Sequence, residues 1–91
     1  MATGRNLKGL ASDIAEGFVV VNPIFLKPFD AEQLKLFHET LQRKQNEMRA
    51  QPFPYGQIDL IRKRNLRLQR VYNAISLIKN YARERRINLI S

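Results

Sequence analysis

Two stretches of the chain repeat apolar residues at helical spacing, and together they span most of its second half. Leu34, Phe37, Leu41 and Met48 recur at steps of three, four and seven residues, which sets them on one face of a helix. Asp30 is placed to cap that helix, with Gln33 three residues on as its capping-box partner. The spacing predicts a helix over 31–50, on whose outer face Glu39 precedes Arg43 in the order that favours an ion pair. Gln51-Pro52-Phe53-Pro54-Tyr55-Gly56 then breaks the pattern, because two prolines cannot continue a helix and Gly56 permits a positive φ.

A second helix is predicted from Gln57 or Ile58 to about Arg85, with no Gly or Pro inside it. Leu60, Ile61, Leu68, Val71, Tyr72, Ile75, Ile78 and Ala82 share an arc about 120° wide. A stripe of that kind must be buried. The first helix, joined through a short connection, is its natural neighbour, giving an antiparallel hairpin. The second helix is the longer by about two turns, roughly 12 Å at 1.5 Å per residue. The excess has to be covered by the N-terminal segment, covered by a partner, or left in water.

Upstream, Leu7, Leu10, Ala11 and Ile14 indicate a short amphipathic helix within residues 5–16, stopped by Gly17. Phe18 to Leu26 follows, rich in β-branched and aromatic residues. Pro23 and Pro28 argue against a regular strand, so the expected state is an extended apolar arm, strand-like at most over Phe18–Val21. Ile87–Ile90 makes an apolar tail that would pair with Phe18–Val21 or pack on the helices. The expected architecture is one all-α domain. Residues 1–29 give the N-terminal helix and arm, 30–86 the hairpin and 87–91 the tail.

Composition narrows the function more than the fold. Ninety-one residues with 44% apolar and 26% charged positions support one modest core. The chain has no cysteine, which removes disulfides and thiolate chemistry and makes an intracellular, cytoplasmic location the default expectation. The longest apolar run, Phe18 to Leu26, is far short of the about 20 residues a spanning helix needs, so integral membrane insertion is not expected.

No catalytic, metal or cofactor chemistry is expected either. His38 is the single histidine, and the position four residues after it is Gln42, so a zinc-protease motif is absent. Its expected place is the edge of the first long helix's apolar face. The glycines at 4, 9, 17 and 56 form no phosphate-cradling loop, and no serine has a base brought to it by spacing. The expectation is a binder, not an enzyme.

Charge placement is the feature that points to a surface. Residues 1–56 carry seven Lys/Arg against six Asp/Glu, whereas residues 57–91 carry nine against Asp59 and Glu84 alone. Arg62, Lys63, Arg64, Arg67 and Arg70 concentrate five cations in nine positions. Lys63, Arg67 and Arg70 fall in a sector about 60° wide beside the apolar stripe, which Tyr81 and Arg85 share further along.

Arg62, Lys63, Arg67, Arg70, Tyr81 and Arg85 are therefore the candidate contacts to an acidic protein surface or to nucleic-acid phosphates, with Tyr81 available to stack on a base. Leu66 and Leu77 lie off the stripe, and Asn65 at its margin is expected to face solvent. With Phe18, Val20 and Phe25 of the arm, the two leucines form the candidate apolar docking set. They favour an adaptor or assembly subunit that docks on a protein or self-associates as a homo-oligomer. Nucleic-acid binding is the alternative, and peripheral attachment to anionic membrane through Arg83–Ile90 a third reading.

Overall fold

A computed structural model describes residues 6–89 and shows an all-α protein of four helices. These are α1 (Leu7–Ala15), α2 (Pro23–Leu26), α3 (Ala31–Ala50) and α4 (Ile58–Glu84). The capping box forms as the spacing requires. Asp30 Oδ1 accepts from the Gln33 amide at 2.8 Å, and Gln33 Oε1 accepts from the Asp30 amide at 3.0 Å. α4 runs unbroken for 27 residues, about 40 Å of helix. The turn between the long helices is made at Gly56, whose φ is +76°.

The long helices pack as a hairpin, and α1 lies against both of them. Leu34, Phe37 and Leu41 of α3 meet Val71, Ile75 and Ile78 of α4 in the core, with Ala11, Ile14 and Ala15 of α1 closing one side. α1 starts at Asn6, whose Oδ1 accepts from the Gly9 amide at 3.1 Å. It ends at Glu16, and Gly17 takes the left-handed conformation at φ +84°. The positive φ is what calls for glycine, and a Cβ there would also press on the Arg70 guanidinium carbon at 3.0 Å, which would have to shift slightly.

The extended arm is a correction. Asn22 Oδ1 accepts from the Phe25 amide at 2.8 Å, and Pro23 occupies the first position of α2. Asparagine at a cap followed by proline is a helix start, because the missing proline amide is one the first turn leaves unbonded anyway. This turn drives Leu26 fully into the core and brings Phe25 and Phe29 against Phe37, with centroids 6.4 and 5.3 Å away. No strand forms among the described residues, so Phe18–Val21 is irregular backbone.

The apolar stripe of α4 is also shorter than the spacing predicts. Val71, Ala74, Ile75, Ile78, Tyr81 and Ala82 are buried, whereas Leu60 and Tyr72 are exposed and Ile61 and Leu68 half-buried. Burial is confined to the stretch that α1, α2 and the first half of α3 can cover. Asn65 faces solvent as expected. The tail folds back, with Arg86 at φ +58° and the Ile87 amide donating to Ala82 O at 2.8 Å, so that Ile87 and Leu89 rest on the core. Ile90 lies outside the described residues. Among those residues the ion pairs are Arg67–Glu16 and Arg85–Glu84, so the expected Glu39–Arg43 pair is not made.

Candidate docking surface

The basic helix does not present its cations as one face. Arg67 Nε sits 3.0 Å from Glu16 Oε2, and Arg70 donates to Ala15 O at 3.0 Å. Both side chains fasten the end of α1, with Arg70 satisfying a carbonyl the helix terminus leaves open. Tyr81, expected as a stacking ring, is 6% exposed and belongs to the core. Its visible consequence is that the Arg85 guanidinium carbon stands 3.7 Å from the ring centroid, a cation–π contact beside the Glu84 carboxylate at 4.0 Å. Of the six candidate contacts, Arg62 and Lys63 remain exposed on the first turns of α4 with no carboxylate in ion-pair range among the described residues.

The apolar candidates divide in the same way. Phe18 and Val20 are 79% and 75% exposed, and Ile24 joins them in water. Phe25 and Leu77, expected outside, are half-buried against the core. Leu66 is exposed, one turn beyond Arg62 and Lys63 on the same flank of α4.

The structure adds Phe53, Tyr55 and Ile58, which lie outside the periodic stripe, and exposes Leu60, which belongs to it. At the hairpin tip Phe53, Tyr55, Ile58 and Leu60 are all exposed, Tyr55 by 83%. Phe53 and Tyr55 pack on each other with centroids 4.7 Å apart, and the Arg64 guanidinium carbon lies 5.1 Å from the Phe53 ring centroid. The signal in the sequence was two aromatics inside a proline-rich turn, where no neighbouring element can cover them. Together with Arg62, Lys63 and Leu66 they bring exposed basic, aromatic and aliphatic side chains to the turn and the first turns of α4.

At the opposite end His38 is 4% exposed, buried where the apolar face of α3 borders Glu39, Gln42 and Lys79, and its Nε2 has no hydrogen-bond partner among the described residues. Burial pushes its pKa down from 6.5, the positive charge of Lys79 pushes it further down, and Glu39 partly opposes both. Among the described residues no three His, Asp or Glu side chains come together as a metal site, and no helix is long and apolar enough to cross a membrane. Ile87 and Leu89, which a membrane-bound tail would offer to lipid, are packed on the core instead. Comparison with known proteins finds no family model, no curated protein and no solved structure that matches the chain.

Proposed function

We propose that the chain is a non-catalytic adaptor or assembly subunit whose hairpin tip docks on an acidic protein surface. The observation that carries this reading is the patch at the start of α4. There Tyr55, Ile58, Leu60 and Leu66 are exposed beside Arg62 and Lys63, on a stretch that contributes nothing to the core. Interfaces are enriched in tyrosine and arginine and anchored by apolar side chains that exclude water. Cations without intramolecular carboxylates steer such a surface towards negative charge. Phe18, Val20 and Ile24 form a second exposed apolar group, which suits self-association or a further contact in the same assembly.

One observation favours a nucleic-acid reading instead. The Phe53–Tyr55 pair next to Arg62, Lys63 and Arg64 could stack bases while the cations hold phosphates. The burial of Tyr81 and the engagement of Arg67 and Arg70 weigh against it, because they shorten the cationic track to the tip.

Affinity purification from the source cell separates the two. An acidic protein retained in stoichiometric amount by the wild type and lost with Tyr55→Ser/Leu66→Ser supports docking. Retention of nuclease-sensitive material, with affinity falling at about 0.9 log units per log unit of salt for each duplex phosphate contact, replaces docking with the nucleic-acid reading.

A further inference from the structure

A cleft of about 450 Å³ opens between the end of α1, the last turns of α3, the proline turn and the first turns of α4. Lys44, Lys63, Arg64 and Arg67 line it, and among the described residues the single carboxylate on its walls is Glu16. Glu16 is already spent on Arg67, by the 3.0 Å contact to Nε and a 3.4 Å bond from Nη2. Three cations from two helices therefore converge on one recess with no counter-charge. Like charges held together in a partly dehydrated recess repel each other, and a fold that keeps them so is relieved by an anion.

The individual donors are set for one. Arg64 stacks over Phe53 at 5.1 Å, which leaves the in-plane edges of its guanidinium to bond, and its buried Nε has no partner. Lys44 Nζ makes only a long 3.4 Å bond to Ser12 Oγ, so donors remain on its ammonium. Arg67 is held by Glu16 along one edge, which fixes its orientation rather than consuming every donor.

We propose that this cleft binds a phosphate monoester dianion. A monoester carries about two negative charges at neutral pH and terminal oxygens that can accept from several donors at once, whereas a backbone diester carries one charge and must continue past the site in both directions. The recess is walled by residues of α1, α3, the proline turn and α4, which suits a compact terminal group. The inference goes beyond the docking reading; the two share Lys63 and Leu60, but Lys44, Arg64 and Arg67 lie outside the exposed residues that reading invokes, so the phosphate site stands on its own donors.

The test is titration calorimetry on the full chain with a capped tripeptide centred on phosphoserine. Saturable binding is expected that strengthens as pH rises through about 6, where the phosphate gains its second charge. The serine tripeptide should not bind, and a dinucleotide diester should bind at least tenfold more weakly. Lys44→Gln and Arg64→Gln should each weaken phosphopeptide binding at least tenfold, whereas Lys27→Gln, exposed after α2 and outside the cleft, should leave it unchanged. Should either of the first two fail to fold by circular dichroism, Lys63→Gln at its exposed rim position serves in its place, with a fivefold loss expected. No saturable binding by the wild type, equal affinity for serine and phosphoserine, or a diester bound as tightly as the monoester would each overturn the proposal. So would full affinity in folded cleft variants. Loss of a protein partner with Tyr55→Ser/Leu66→Ser leaves these outcomes untouched, so the two readings fail separately.

Discussion

The two halves of α4 differ both in what they are made of and in where they lie: five of the ten residues in 58–67 are charged, against Lys79 alone in 71–82. From Val71 to Ala82 the helix puts an apolar side chain into the core at nearly every turn. From Ile58 to Arg67 it carries four apolar residues among five charged ones, and Ile58, Leu60 and Leu66 are exposed. The environments follow from what each half faces. The C-terminal half meets the middle of α3, the aromatic cluster and α1, whereas the N-terminal half extends towards the turn, past most of what could cover it. One continuous helix thus anchors the fold with one half and offers the other to the outside.

The contrast can be broken most sharply at the core. Phe37→Ala and Ile78→Ala each delete a fully buried side chain and should cost about 3–5 and 2–5 kcal/mol in urea denaturation. A loss as small as that of a surface residue would mean that the buried half is not the anchor. Gly17→Ala should come next, at about 1–2 kcal/mol, because it adds a side chain at positive φ against the Arg70 guanidinium.

A smaller effect follows pH. The folded-state pKa of His38 lies below its unfolded value of 6.5, so the unfolded chain takes up the proton first. Stability should be full above 6.5, fall as pH drops from 6.5 to the folded-state value, and level off below it. His38→Gln should flatten that segment of the stability–pH curve, and an unchanged slope would remove the assignment. On the projecting half, Arg67→Ala should cost only about 0.2–1 kcal/mol, since its bridge to Glu16 is some 40% exposed on both sides, at 42% and 44%. Leu66→Ala should shift stability by no more than about 0.5 kcal/mol. A large loss at Leu66 would show that the start of α4 is structural after all.

Local rules read the helices well because their signals are local. The capping box at Asp30, the stop at Gly17 and the proline break each act within four residues of their cause. The arm departs from expectation for a related reason: proline breaks a strand, but behind Asn22 as a cap it starts a helix. What no local rule carried was depth. Tyr81 and Arg85 share a sector on the helical wheel, but that projection does not say that the ring turns under the core while the guanidinium lies over it. Nor does it say that Arg67 and Arg70 reach residues more than fifty positions earlier. The tip was legible only as an anomaly, two rings in a turn with nothing assigned to cover them.

The fastening of α1 has a practical consequence for anyone dissecting the chain. Glu16 and the Ala15 carbonyl occupy Arg67 and Arg70, and α1 roofs the core beneath them. A fragment trimmed to the two long helices would bare apolar surface and release two guanidinium groups at once. It would then adhere to polyanions and to itself more strongly than the intact protein does. Stickiness measured on such a fragment would report the cut rather than the molecule.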